Sequence, residues 1–73
     1  MRLLTYNLYF GGSDRAEQIL AVLTHADADV IALTEADDRG VVEMLAARLG
    51  MVHQWARGSG DRHIATLSRF PIV

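Results

Sequence analysis

The chain has 73 residues, no cysteine and a formal net charge of −2, and 51% of its residues are hydrophobic. These values exclude a disulfide scaffold and a thiolate metal site, provide no basic surface for nucleic acid, and leave no apolar run near the roughly 20 residues that cross a bilayer. We therefore expect one small domain, located in the cytoplasm.

The first two predicted elements are a strand and a helix. An apolar run predicts a strand over residues 3–9, and the glycine pair that follows breaks it. The helix is predicted to begin at Ser13 or Asp14, because Asp14 and Glu17 have the spacing of a capping box, and to end near Thr24. Its inward stripe has helical spacing and comprises Ala16, Ile19, Leu20, Leu23 and Ala26.

A second strand and a second helix follow. The continuous run Val-Ile-Ala-Leu predicts a strand over residues 29–34, of the kind that lies at the centre of a sheet. A helix is predicted over residues 38–49, with Gly50 as its stop and with Asp37 and Asp38 as capping acids at its start. The side chains predicted to face the core are Val41, Val42, Leu45 and Leu49.

Two more strands complete the predicted fold. They cover residues 51–56 and 62–69, and a Gly-containing hairpin loop over residues 57–61 joins them. Pro71 marks the end or edge of the last strand, because proline cannot donate to a ladder. The fold class is therefore α/β with the order β-α-β-α-β-β, one sheet with both helices on one face. The other face carries apolar side chains, so we expect a covering second half, supplied by self-association or by a downstream segment.

Asn7 and Glu35 each follow an apolar strand with an oxygen-bearing side chain. In an open α/β sheet, ligands bind at the carboxyl ends of the strands, and amide and carboxylate oxygens suit a hard cation such as Mg²⁺. Taken singly, Asn7 also fits a turn-forming asparagine. Glu35 also fits a structural ion pair with an arginine, because a buried carboxylate must be paired, hydrated or bound to a cation.

Three motifs resemble a known family in their order and spacing. They are Leu4-Thr5-Tyr6-Asn7, Asp29-Val30-Ile31-Ala32-Leu33-Thr34-Glu35 and the run Ala-Thr-Leu-Ser-Arg-Phe-Pro-Ile from Ala65 to Ile72. Across essentially the whole chain, they resemble the N-terminal portion of the endonuclease/exonuclease/phosphatase family, metal-dependent phosphodiesterases with a deoxyribonuclease-like fold. Thr34 departs from the family pattern, which usually has glutamine before the glutamate.

The resemblance implies the first half of a four-layer α/β/β/α sandwich, in which Glu35 and Asn7 hold the catalytic Mg²⁺ or Mn²⁺. The implied substrate is a phosphodiester or phosphate ester, nucleic acid among them, attacked by a water that a histidine activates. Family members supply that histidine and its aspartate from Asp-x-Asn and Ser-Asp-His motifs further along, and neither motif occurs in this sequence. We therefore expect residues 1–73 to form one partial, N-terminal domain that is inactive as an isolated chain.

Two other interpretations stay open. The first is a non-catalytic truncated subunit or a homo-oligomerising fragment, completed by a partner. The second is a dinucleotide-binding unit, which Gly11-Gly12-Ser13-Asp14-Arg15-Ala16 fits poorly because it lacks the G-x-G-x-x-G spacing.

The remaining polar residues receive no catalytic role. His25, His53 and His63 are too scattered for a metal cluster, and His63 is predicted to be a surface residue beside the hairpin. The arginines are interpreted as solvated surface charge, with phosphate contact at the same rim as the alternative, and they are Arg39, Arg57, Arg62 and Arg69.

Overall fold

The computed structural model of the chain describes residues 1–9, 12–57 and 63–72. Its elements are β1 (Leu3–Asn7), a 3₁₀ turn (Ser13–Arg15), α1 (Ala16–Ala26), β2 (Val30–Thr34), α2 (Arg39–Leu49), β3 (Val52–Arg57) and β4 (His63–Ser68). The predicted order β-α-β-α-β-β is confirmed. Residues 58–62, most of the predicted hairpin loop, lie outside the described residues. Among the described residues, no helix is long and apolar enough to cross a membrane.

The four strands form one mixed sheet in the order β1-β2-β4-β3. β1 and β2 are parallel, with Asn7 opposite Thr34 at the end of both strands. β4 runs antiparallel to both of its neighbours, with Ala65 opposite Leu33 of β2 and opposite Trp55 of β3. The first two strands of the sequence are therefore direct neighbours, and the last strand separates β2 from β3.

The start of α1 differs from the predicted capping box. A 3₁₀ turn precedes the helix, and no side chain caps either element. Asp14 forms an ion pair with the adjacent Arg15, with 3.3 Å between Oδ1 and Nη1. Arg15 in turn donates from Nη2 to the carbonyl oxygens of Leu8 at 2.5 Å and Tyr9 at 2.9 Å. The chain before α1 is therefore held by an arginine that reaches back to the end of β1.

α2 has the predicted boundaries. The side chain of Asp38 caps the helix by accepting a hydrogen bond from the backbone N–H of Val41 at 3.3 Å. Gly50 ends the helix with φ of 68°, in the left-handed conformation that glycine adopts without strain. Both boundaries of α2 can be predicted from the sequence, because each depends on one residue type at one position.

The core lies on one face of the sheet. Alternate side chains of the strands join the inward stripes of both helices in one cluster of buried residues, which is why the two helices share that face. Its largest fully buried side chains are Leu8, Leu23, Ile31, Leu33, Val42, Leu45 and Leu67. The opposite face, which we call the bare face, carries Leu3, Val52 and Ile64, whose exposed fractions are 75%, 48% and 53%. The bare face therefore exposes apolar side chains of β1, β3 and β4 beside polar ones such as Thr5, Gln54 and Thr66.

Candidate metal centre at the ends of β1 and β2

The parallel pairing of β1 and β2 brings Asn7 and Glu35 to the same end of the sheet. Asn7 is the last residue of β1 and lies opposite Thr34, and Glu35 follows Thr34 directly. The pairing continues one step beyond the strands, because the N–H of Leu8 donates to the carbonyl oxygen of Thr34 at 2.9 Å. The two oxygen-bearing residues therefore leave neighbouring strands side by side.

Asn7 also forms a turn. Its Oδ1 accepts a hydrogen bond from the N–H of Tyr9 at 2.7 Å, and Tyr9 has φ of 50°. This turn explains why β1 ends at residue 7 rather than at the predicted residue 9. An amide oxygen carries two lone pairs, so the turn uses only half of the acceptor capacity of Oδ1. The turn-forming interpretation of Asn7 is therefore compatible with a second role for the same oxygen.

Glu35 is buried and its backbone is unusual. Only 8% of the residue is exposed, and its φ is 52°, in the left-handed region. Few non-glycine residues adopt that region, and Asn, Asp and His are enriched among those that do. The left-handed residue ends β2 and turns the chain towards Asp38, where α2 begins. The buried carboxylate thus lies at the turn between the strand and the helix.

The hairpin of β3 and β4 contacts the segment that follows Glu35. The indole N–H of Trp55 donates to the carbonyl oxygen of Ala36 at 2.8 Å. The N–H of Ala36 donates to the carbonyl oxygen of His63 at 2.9 Å. The N–H of His63 donates to Oδ1 of Asp37 at 3.2 Å. Asp37 therefore binds the hairpin, whereas its predicted role was to cap α2.

The side chain of His63 is packed rather than on the surface as predicted. Its ring lies against Trp55, with 4.7 Å between the ring centroids, and its Nδ1 is buried without a hydrogen-bond partner among the described residues. The guanidinium of Arg39 lies 5.2 Å from the centre of the Trp55 ring, a cation–π distance. A role for Trp55 near the candidate site was not predicted from the sequence. The available signal was its place in the hairpin, where it and His63 are diagonal neighbours across two strands.

A comparison with known protein families identifies the family of this chain. The family model described as Endonuclease/Exonuclease/phosphatase family matches residues 4–73. The chain belongs to the endonuclease/exonuclease/phosphatase family. Its match starts in β1 and includes both Asn7 and Glu35, so these two side chains lie within a domain of the phosphodiesterase and nuclease type. No curated protein matches the chain.

Members of the endonuclease/exonuclease/phosphatase family are generally metal-dependent, and the donors at this edge fit such an ion. An amide oxygen and a carboxylate are hard ligands, and Mg²⁺ commonly takes one or two carboxylates while its other positions hold waters and substrate phosphates. Among the described residues, no group of three or more His, Asp or Glu side chains is placed to hold a metal ion. The oxygens of Asn7 and Glu35 match the type of ligand that such an ion prefers.

The part of the third family motif from Ser68 onward lies at the opposite end of the sheet, because Ser68 pairs with Val30 at the start of β2. Arg69 forms ion pairs with Asp27 and Asp29, so it is remote from the rim where phosphate contact was the alternative. The hydroxyl of Ser68, a buried residue, accepts a hydrogen bond from the N–H of Phe70 at 2.9 Å. In this chain the Ser-Arg-Phe-Pro motif therefore stabilises the fold and does not line the candidate site.

Proposed function

We propose that the chain provides the metal-binding edge of a Mg²⁺-dependent phosphodiester hydrolase, with Glu35 and Asn7 as ligands of Mg²⁺ or Mn²⁺. The observation that carries the proposal is the position of these two side chains at adjacent strand ends in a member of the family. A buried glutamate that follows one strand, next to a strand that ends in an asparagine, supports a divalent cation, because carboxylate and amide oxygens are hard ligands.

The charge of the site supports an anionic substrate. A divalent ion bound at this edge adds two positive charges and so attracts a phosphodiester, nucleic acid among them. When bound, the ion supplies charge stabilisation to a non-bridging phosphate oxygen. The sequence contains neither Asp-x-Asn nor Ser-Asp-His, so the histidine base of the family has no counterpart here. We therefore propose that turnover by the isolated chain is negligible.

Binding of Mn²⁺, followed by electron paramagnetic resonance, tests the metal site. Glu35→Gln removes the ligand charge with little change in shape, and we expect it to weaken Mn²⁺ binding at least about tenfold. Glu17→Gln is the matched control, because Glu17 lies on α1 and pairs at the surface with Arg48 at 3.5 Å. Equal affinity in the two variants would overturn the assignment of Glu35.

Hydrolysis of bis(4-nitrophenyl) phosphate in the presence of Mg²⁺ tests the second part of the proposal. We expect no turnover above the rate with Mg²⁺ alone. Turnover that Glu35→Gln abolishes would show an active chain and contradict the proposed inactivity, while supporting the metal site.

A second candidate function is a non-catalytic subunit, or a fragment that self-associates and is completed by a partner. The bare face favours it, since the apolar side chains of Leu3, Val52 and Ile64 are exposed to water. Two copies that pack these faces together would form two layers of sheet covered by helices on both outer sides. This arrangement supplies the covering half, although it repeats the metal edge and adds no histidine base.

A further inference from the structure

The backbone of Glu35 requires an explanation beyond the chemistry of its carboxylate. Its φ of 52° places a long, unbranched side chain in the left-handed region, which is sterically unfavourable for an L-residue. Such residues persist only where their surroundings hold them, and they occur preferentially at functional sites. Neighbouring residues therefore stabilise the left-handed backbone conformation of Glu35.

The peptide units after Glu35 are held from the hairpin. Ala36 is fixed on both sides, because its carbonyl oxygen accepts from the Trp55 indole at 2.8 Å and its N–H donates to the carbonyl of His63 at 2.9 Å. Asp37 adds a third hydrogen bond, from the N–H of His63 at 3.2 Å. Two of these bonds come from the backbone of His63, and one comes from a side chain.

The Trp55 ring is itself packed against two other side chains. His63 packs on it with centroids 4.7 Å apart, and Arg39 of α2 lies 5.2 Å from its centre. The ring also packs against the core as a partly buried residue. The indole N–H that donates to the carbonyl oxygen of Ala36 thus belongs to a β3 residue that contacts both β4 and α2.

We propose that Trp55 is a positioning residue for Glu35: its indole N–H holds the left-handed turn and so fixes the direction in which the carboxylate leaves β2. This inference rests on the proposed metal role of Glu35. Arg15 acts in a comparable way beside Asn7, because it donates to the carbonyl oxygens of Leu8 and Tyr9. Each proposed ligand is thus followed by carbonyl groups that a side chain from another element binds.

Nuclear magnetic resonance of the chain without metal tests the effect on the backbone. A residue with positive φ has a short distance between its own amide and Hα protons, so Glu35 gives a strong intraresidue cross-peak. Trp55→Phe keeps an aromatic ring and removes the donor. We expect the Glu35 cross-peak to weaken in Trp55→Phe and to stay strong in Thr24→Val, the control. Thr24→Val also removes one side-chain-to-carbonyl hydrogen bond, from Thr24 Oγ1 to the Leu20 oxygen at 2.7 Å, within α1.

An unchanged Glu35 cross-peak in folded Trp55→Phe would overturn the inference. If Trp55→Phe does not fold, Asp37→Ala decides, because it removes another of the three hydrogen bonds at a more exposed position. Weakening of the Glu35 cross-peak in Asp37→Ala would show that hydrogen bonds to the hairpin hold the turn at Glu35. An unchanged cross-peak contradicts that.

A double-mutant cycle on Mn²⁺ affinity separates positioning from a general loss of stability. We expect Trp55→Phe to weaken Mn²⁺ binding about tenfold, as loss of an outer-shell partner does, and to have no further effect in the Glu35→Gln background. Equal losses in both backgrounds would mean that Trp55 does not act through Glu35. If Glu35→Gln leaves Mn²⁺ binding intact while Trp55→Phe changes the Glu35 cross-peak, the proposed metal site is wrong. The role of Trp55 in holding the turn at Glu35 is then still supported.

Discussion

Arg69 and Asp29 form an ion pair at the end of the sheet opposite Asn7 and Glu35, with 3.1 Å between Nη1 and Oδ1. The same aspartate accepts a hydrogen bond from the N–H of Arg2 on its Oδ2 at 2.8 Å. The N–H of Arg69 donates to the carbonyl oxygen of Asp29 at 3.0 Å. Asp29 therefore connects the start of β1 with the end of β4, and it precedes β2 itself.

Acid should weaken this connection. The hydrogen bond from the N–H of Arg2 lowers the pKa of Asp29 below its ordinary value of 3.8, and the charge of Arg69 lowers it further. A carboxyl group with a depressed folded-state pKa stabilises the fold fully above its unfolded-state pKa and loses that contribution as the pH falls through the folded-state value. We expect the stability of the wild-type chain, measured by urea denaturation, to fall below about pH 4.

Asp29→Asn tests the assignment of this pH dependence. It should lower stability at neutral pH and flatten the acid loss, while Asp14→Asn, at a surface aspartate, should keep the wild-type profile. An acid slope that is the same in Asp29→Asn and wild type would assign the effect to other carboxylates.

Gly12→Ala should be strongly destabilising. Gly12 has φ of 71°, and a Cβ there would lie 2.5 Å from Cδ1 of Ile19 and 3.1 Å from the carbonyl oxygen of Leu8. Gly50 has φ of 68° with open space around it, so Gly50→Ala measures the left-handed backbone cost alone. We expect losses of about 1–2 kcal/mol for Gly50→Ala and about 1–3 kcal/mol more for Gly12→Ala, from urea denaturation. Equal losses would show that Ile19 moves aside at no cost.

Asp38→Ala should remove the cap of α2. Loss of an aspartate cap costs about 1 kcal/mol, because the N–H of Val41 loses its side-chain acceptor. The control is Asp14→Ala, which removes a surface contact with Arg15 and should change the free energy of unfolding by less than about 0.5 kcal/mol. A similar loss in both variants would contradict the capping role.

The bare face should cause self-association. We expect light scattering of the wild-type chain to show an average mass that rises with concentration, because exposed apolar patches favour association. Ile64→Thr should lower that mass by replacing an exposed apolar side chain of β4 with a β-branched polar one. Val22→Thr makes the same kind of change on the outer side of α1, where Val22 is 47% exposed, and should have no effect. A monodisperse wild-type monomer would count against the second candidate function.

The parts of the fold that depend on local chemistry were predictable from the sequence. α2 begins after Asp38 and ends before Gly50 because a capping acid and a left-handed glycine act within one helical turn. β1 and β2 are consecutive strands, which usually pair, and the helix between them makes that pairing parallel. The capping box of Asp14 and Glu17 was wrong for a non-local reason, because Arg15 instead reaches back to carbonyl groups at the end of β1.

The candidate site was predictable in its two oxygen donors and not in its surroundings. Asn7 and Glu35 stand at the ends of apolar runs, and that position alone predicts which edge of the sheet they share. Trp55 and His63 contact the segment after Glu35 because β4 pairs with β2, which brings the β3–β4 hairpin beside that segment. No spacing in the sequence indicates that contact. Their role in the architecture depends on tertiary pairing, as does the placement of Arg69 at the far end.

The position of β4 between β2 and β3 also determines when the domain can form during synthesis. A growing chain that has emerged only as far as β3 has a β2 with one unpaired edge and a β3 with no neighbour to bind. The sheet is complete when β4 supplies hydrogen bonds to both at once. Its pairing with β2 joins segments far apart in the sequence, whereas its pairing with β3 is a local hairpin. Shorter N-terminal pieces therefore retain an open strand edge, which is a site for aggregation, and the ribosome must release residues 63–68 before the helices have a continuous surface to cover.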